Sequence, residues 1–255
     1  MIAQSPDATR TSPTCAWCEQ PLAHGPLRAF GQLRCDHCGA TTALDWPAER
    51  ELLRVPLAPV AQLRGAHRLC TLGEAARRRV RRRLAARIAR IAPPGPVLDV
   101  SSGDRMLLDA LRATGRLTTG IVSGRPSAAA RGGLQQAEIT ELGGRYAAIV
   151  FWQSLGRLRA PGVALEHAAA LLKPGGLLAI AQPSAARMQA RALGERFVAP
   201  DVPRHRVVIP PQTLIERLNA LGLQVDRIDH LLDLPTAGGW VQSVLGGVTA
   251  IEARR

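Results

Sequence analysis

The chain has 255 residues, of which 46% are hydrophobic, 21% charged and 3% aromatic, a composition that excludes disordered and collagen-like classes and can build a core without staples. Its longest unbroken apolar stretches, such as Ala147–Trp152 and Gly175–Ala181, fall far short of the roughly 20 residues a spanning helix needs, so no membrane span is expected. The net charge is +13, and every one of the 33 Lys and Arg residues except Lys173 is arginine; such an excess favours polyanionic partners, although a compositional arginine bias with solvated side chains gives the same count.

The first residues, Met1–Pro13, are polar and lack an apolar h-region, which places the chain in the cytoplasm. Cys15-Ala-Trp-Cys18 and Cys35-Asp-His-Cys38 form two C-x2-C pairs separated by sixteen residues. Each pair supplies two thiolates from one tight turn, and four thiolates complete a closed tetrahedral zinc site. A disulfide framework would need an oxidising compartment, and a redox pair would stand alone beside a βαβ unit. His24 and His37 lie nearby but are read as surface residues, because four cysteines already fill the metal. Cys70 is isolated and reads as a small buried hydrophobe. With four thiolates bound, a zinc ion keeps no open position for substrate, so the segment is a folding or docking element.

Residues 44–72 carry Pro47, Pro56 and Pro59 among short apolar runs and read as an irregular connector. From residue 73 to 92 the pattern changes to an amphipathic helix ended by Pro93-Pro94-Gly95. Val80, Leu84, Ile88 and Ile91 share one face, and Arg77, Arg78, Arg79, Arg81, Arg82, Arg83, Arg87 and Arg90 fill the remainder. The apolar stripe is expected to pack on the following domain, with the arginines outside. Two readings stay open for them: phosphate binding on RNA, DNA or an anionic lipid surface, or a solvated helix face.

From Pro96 onward strands and helices alternate. Strands are expected at Val97–Val100, Leu117–Val122, Leu134–Ile139, Ala147–Trp152 and Leu177–Ala181, with helices at Met106–Ala113 and Gly162–Leu172. This order predicts a doubly wound, mostly parallel sheet covered on both faces, with ligands at the carboxyl ends of its strands. A helix at Gln212–Leu221 and a strand at Leu223–Ile228 follow. The tail from Gly238 to Arg255 reads either as a brief strand at Val248–Glu252 or as a packed helix. His167 reads as a helix-face residue and Trp152 as core. The organisation is therefore a ribbon over 1–43, a connector over 44–72 and an α/β domain over 73–255.

The segments VLDVSSGDRMLLDALRATG, AEITELGGRYAAIVFWQSLGRL, LLKPGGLLAIAQPS and PRHRVVIPPQTLIERLNALGLQVDRIDH resemble the class I S-adenosylmethionine-dependent methyltransferases. The resemblance runs from about Pro93 to Ser243 and fits a small-molecule-type branch in which an N-terminal zinc-binding segment also occurs. It implies a Rossmann-like fold, S-adenosylmethionine as cofactor, and a methyl acceptor bound beside it. The family's first motif has three glycines after its strand. In this chain those places hold Ser101, Gly103 and Arg105, behind Asp99. A long cation at Arg105 opposes a cationic cofactor unless it turns to solvent or pairs with Asp104.

The second strand of the family ends in an acid that accepts the ribose hydroxyls; this chain offers Val122 with Ser123 beside it. Glu138 matches the acid that meets the adenine amino group. The family's L-E-H triplet after the fourth strand corresponds to Leu155-Gly156-Arg157, leaving Gln153 and Ser154 as the polar residues at the strand tip. Asp99 could equally cap its turn, and Glu138 could equally be an exposed strand end. His205, in the segment that the family lays over the acceptor pocket, is the candidate general base, with a structural loop-closing role as the alternative.

Two functions therefore compete: an active methyltransferase with its acceptor near Gln153, Ser154 and His205, and a catalytically degenerate descendant, a pseudoenzyme. The second would act as a binding or assembly module on nucleic acid through Arg77–Arg90, or within a protein complex.

Overall fold

The protein is described here from a computed structural model, which defines residues 13–23, 32–44, 66–100, 105–123, 133–183, 205–232 and 247–255. The ribbon contributes β1 (Gln32–Arg34) and β2 (Thr41–Ala43). They are followed by α1 (Ala66–Ile91), β3 (Val97–Val100), α2 (Met106–Arg112), β4 (Thr118–Val122) and β5 (Leu134–Gln136). Next come β6 (Tyr146–Trp152), α3 (Pro161–Leu171), β7 (Leu172–Pro183), β8 (Val207–Val208), α4 (Pro211–Ala220), β9 (Gln224–Leu232) and β10 (Gly247–Arg254).

Seven strands form one sheet in the order β5-β4-β3-β6-β7-β10-β9. The pairings from β5 through β7 are parallel, and β10 is antiparallel to both of its neighbours. The chain starts at β3, works outward to β5, then returns to β6 on the other side of β3. That reversal leaves a crevice at the carboxyl ends of β3 and β6, where parallel sheets of this kind bind ligands.

Alternation along the strands assigns the two faces. Leu98, Val100, Ile149, Phe151, Leu178 and Ile180 pack toward α3 and α4, together with ribbon residues Cys15, Leu22, Leu33 and Cys35. Val97, Ala148, Val150, Trp152, Leu177 and Ala179 face α1 and α2. Helix α1 already begins at Ala66, inside the stretch read as connector. Its line of contact is also turned by about one position from the expected stripe. Arg81, Ala85, Ile88 and Ala92 are buried, while Val80, Leu84 and Ile91 flank them. Two alanines allow the backbone to approach the sheet closely, which rotates the larger side chains to the margins. Among the described residues, no helix is long and apolar enough to cross a membrane.

Three boundaries differ from the sequence expectation for local reasons. Strand β5 stops at Gln136 because Glu138 starts a short 3-10 turn (Ile139–Glu141), its N–H donating to Glu141 Oε2 at 3.0 Å. Strand β7 reaches back to Leu172 with an irregularity at Lys173–Gly176, across which its register with β6 shifts. The carboxyl end is a strand, not a helix: β10 inserts between β7 and β9, completing the antiparallel hairpin. A bidentate pair between Arg87 of α1 and Glu252 of β10, with N···O distances of 2.6 to 3.0 Å, pins the helix across that strand. The Glu252 hydrogen bonds hold the Arg87 guanidinium above its ordinary pKa.

Candidate functional site: a four-cysteine centre and the sheet crevice

The two C-x2-C pairs fold as near-copies. Cys15 N–H donates to Gln20 O at 2.9 Å and Glu19 N–H to Cys15 O at 3.0 Å; Cys35 N–H donates to Ala40 O and Gly39 N–H to Cys35 O, both at 2.8 Å. Each knuckle closes with a left-handed residue, Glu19 at φ 61° and Gly39 at φ 71°. The turns bring Cys15 Sγ to 3.7 Å from Cys38 Sγ and Cys18 Sγ to 3.6 Å from Cys35 Sγ, with all four sulfurs within 4.8 Å of one another. Sulfurs about 2.3 Å from a tetrahedral zinc lie about 3.8 Å apart, so the donor set fits that ion. The spacing is far beyond the roughly 2.05 Å of a disulfide.

Thr42 supports the centre from behind, its hydroxyl 3.8 Å from Cys15 Sγ while accepting from Ala16 N–H at 3.1 Å. Burial pushes the Cys38 thiol up, and the Cys18 and Cys15 sulfurs add to it; burial also raises Cys18. Crowded thiols in this setting resist joint ionisation unless a cation sits among them. His37 is exposed, as expected.

The crevice is built from the ends of β3, β4, β5 and β6. Asp99 on β3 is fully buried and, by alternation, lies on the α1/α2 face. Ser101, Gly103, Asp104 and Arg204 lie outside the described residues. Arg105 immediately precedes α2 and holds φ 57°, the left-handed conformation that glycine takes without cost. Its guanidinium runs forward along the helix, Nη2 donating to Asp109 Oδ1 at 3.1 Å. The Arg105 cation is thus held along α2 by Asp109, four residues on.

At the neighbouring strand ends, Ser123 Oγ donates to Glu138 Oε2 at 2.9 Å. A hydroxyl and a carboxylate are therefore joined at the tips of β4 and β5, where Val122 leaves no acid of its own. Gln153, directly after β6, holds φ 53°, with its N–H donating to Ala181 O at 2.7 Å. Left-handed backbone at a non-glycine residue is tolerated only where the surroundings enforce it, and such residues concentrate at binding sites. Ser154 Oγ donates to Val100 O at 2.6 Å and ties the ends of β6 and β3 together.

Sequence reasoning missed Arg81. Placed among the outward arginines, it is 4% exposed and stacks over the Trp152 ring at 4.0 Å from the centroid. The ring quadrupole and the buried aliphatic stem account for that placement. Only the exact phase of α1 on the sheet could have revealed it. Trp152 is core, as expected, at 6% exposure. His167 sits within α3 with Nε2 3.0 Å from Leu142 O, a bond between elements that its helix-face reading did not foresee.

His205 is buried and packs against the turn that follows β6. A Cβ at Gly156 would stand 2.3 Å from Val207 O and 3.3 Å from His205 Cδ2. The glycine in place of the triplet's acid is what lets the 205–207 segment lie down on that turn. Asp99, Gln153 and Ser154 are thus gathered at the β3/β6 reversal, Ser123 and Glu138 one and two strands away, and His205 on the α3/α4 side.

A family model described as a methyltransferase domain matches residues 74–228. No curated protein sequence matches the chain. Among solved structures, magnesium protoporphyrin IX methyltransferase from Synechocystis PCC 6803, with bound S-adenosylhomocysteine (SAH), is 15% identical at a TM-score of 0.55, covering 83% of this chain and 96% of that one. The [4+2]-cyclase SpnF is 19% identical at a TM-score of 0.51, covering 68% of this chain and 80% of that one. A Haloferax volcanii complex containing the Trm112 methyltransferase activator gives 18% identity at a TM-score of 0.49, with coverages of 67% and 87%. At these identities the first two structures establish the fold alone, and a cyclase among them shows that fold does not dictate reaction. The family match over most of the chain, with the sheet order described above, establishes that the protein belongs to the methyltransferase-domain family of the class I S-adenosylmethionine-dependent superfamily.

Proposed function

We propose that the chain is an S-adenosylmethionine-dependent methyltransferase, with its cofactor across the carboxyl ends of β3 to β6 and its acceptor beneath the 205–210 segment. The observation that carries this reading is the Ser123–Glu138 pair at 2.9 Å. It supplies an anionic acceptor surface for hydroxyl and amino groups despite the valine at the end of β4. The retreat of Arg105 onto Asp109 supports it further, because it relieves the repulsion a cationic ligand would meet.

The bound cofactor supplies a sulfonium methyl group. In this reading Asp99, Ser101 and Gly103 hold its aminoacyl part, Ser123 and Glu138 hold the nucleoside, and Gln153 borders the reacting centre. His205 takes the proton from a hydroxyl or amine acceptor near neutral pH. Its burial keeps bulk water from competing, and alignment for in-line attack supplies most of the rate. The ribbon (1–43) carries structural zinc on Cys15, Cys18, Cys35 and Cys38, and the catalytic unit follows it, its first helix starting at Ala66 inside the 44–72 stretch read as connector. Reduced thiols at ligand spacing suit the cytoplasm.

A second reading is favoured by α1, which leaves Arg78, Arg79, Arg82, Arg83 and Arg90 exposed. Glu74 pairs with this row through Arg78. On that reading the row grips the phosphates of a nucleic acid, either to present a macromolecular acceptor or, in a pseudoenzyme, as the whole function. Titration of SAH into Glu138→Gln and Ser123→Ala proteins separates the two. Loss of a charged acceptor is worth roughly 1.5–3 kcal/mol, so Glu138→Gln should weaken binding about tenfold or more. Unchanged affinity in both variants would remove the pair from the site.

A further inference from the structure

Among the described residues, strand β8 joins no strand of the main sheet. Its pairing is with ribbon strand β2, Val208 opposite Thr41 and Val207 opposite Thr42, continued by Ala43 N–H donating to Arg206 O at 2.8 Å. The next helix is tied to the ribbon as well: Thr213 Oγ1, in the first turn of α4, donates to Cys38 O at 2.8 Å. Gly39 beside it is close enough to Pro210 that an added Cβ would sit 3.5 Å from Pro210 Cγ.

The opposite side of the same segment rests on the carboxyl end of the sheet. Val207 O lies over Gly156, and Gln182 Nε2, at the end of β7, donates to Ile209 O at 2.7 Å. Arg206 Nη1 donates to Arg159 O at 2.9 Å. The strap carrying His205 is therefore held between a four-cysteine knuckle and the sheet. A two-residue strand has too few bonds of its own to persist without such support.

We propose that the metal-loaded ribbon is the clamp that sets the 205–213 strap on the acceptor side of the crevice, with Thr213 and Gly39 as positioning residues. Metal occupancy and strap order are then one equilibrium, because the second knuckle contributes both sulfurs, through Cys35 and Cys38, and the backbone carbonyl that anchors α4. The metal stabilises the knuckle, and the knuckle stabilises the strap. The cofactor side of the crevice, on β3, β4 and β5, shares none of the hydrogen bonds that tie ribbon to strap. The inference rests on these bonds and stands whether or not the chain binds S-adenosylmethionine.

Hydrogen exchange on the full chain tests it, with zinc loaded, after removal by a chelator, and after zinc is restored. Protection of amides 206–208 should fall at least tenfold without zinc and return with it, while β3 and β6 amides stay within twofold. In zinc-loaded protein, Thr213→Val should lower protection over 206–214 about threefold, and Thr213→Ser should restore it. Three results would overturn the clamp: unchanged 206–208 amides on metal removal, an equal loss over the whole chain, or protected 206–208 amides in protein that purifies without zinc.

Discussion

Replacing Arg105 by glycine tests two effects at once, the strain of its backbone and the loss of its charge. At φ 57° the arginine backbone occupies the left-handed region, which costs an L-residue other than glycine roughly 1–2 kcal/mol. Glycine removes that cost but brings about 0.5–1 kcal/mol of extra chain entropy in the unfolded state. The Arg105–Asp109 pair is lost too, yet with side chains 25% and 59% exposed it is screened and worth about 0.3–0.5 kcal/mol. The balance therefore runs from about 0.5 kcal/mol of loss to about 1 kcal/mol of gain, and a domain of this size shifts by about 2–4 °C in Tm for each kcal/mol. Thermal unfolding by circular dichroism should show Arg105→Gly melting between about 2 °C below the parent and about 4 °C above it. A fall of about 3 °C or more would mean that the ion pair or the arginine stem outweighs the strain, and that the reading of this turn is wrong.

Because Asp109 already restrains the guanidinium, Arg105→Gly alone should change SAH affinity little. Adding Val122→Asp, which restores an acid at the end of β4, should tighten SAH binding at least tenfold by calorimetry; an unchanged Kd would mean the crevice serves another ligand. Gly156→Ala places a methyl group 2.3 Å from a backbone oxygen and should cost about 1–3 kcal/mol in chemical denaturation, whereas no loss would contradict the packing of the strap on that turn. Metal analysis should find one zinc per chain. Protons compete with zinc for the free thiolates, so acidification should release it, and a metal content indifferent to Cys35→Ser would refute the site. If α1 binds nucleic acid, changing Arg78, Arg79, Arg82 and Arg83 to Gln should flatten the log–log salt slope by about 0.7–0.9 for each phosphate that is no longer neutralised, and an unmoved slope would return the helix to a solvated face.

The parallel sheet was legible because short strand-like segments such as VLDV and AAIVFW alternate with helix-length ones, the order of a doubly wound sheet. The four-cysteine cluster was legible because ligand spacing is a local property of two turns. What escaped depends on packing between distant segments. Arg81 reads as one more arginine in RRRVRRRL until the phase of α1 on the sheet is known. The pairing of Thr41–Thr42 with Val207–Val208 joins residues far apart in sequence, and no periodicity signals it. Glu138 stands out in the sequence as an acid behind the third strand, but its bond to Ser123 appears only when the tips of β4 and β5 are seen side by side. Gly156 looked like the erosion of a functional triplet; in the structure it is a packing requirement of the segment that carries His205.

The central claim is a cofactor site at the carboxyl ends of β3 to β6, and isothermal titration of S-adenosylmethionine into the zinc-loaded chain tests it most directly. The account predicts saturable binding at one site per chain, in the micromolar range that corresponds to about −8 kcal/mol, weakened by Glu138→Gln. Absence of heat at millimolar cofactor, confirmed by an unshifted Tm in its presence, would contradict it.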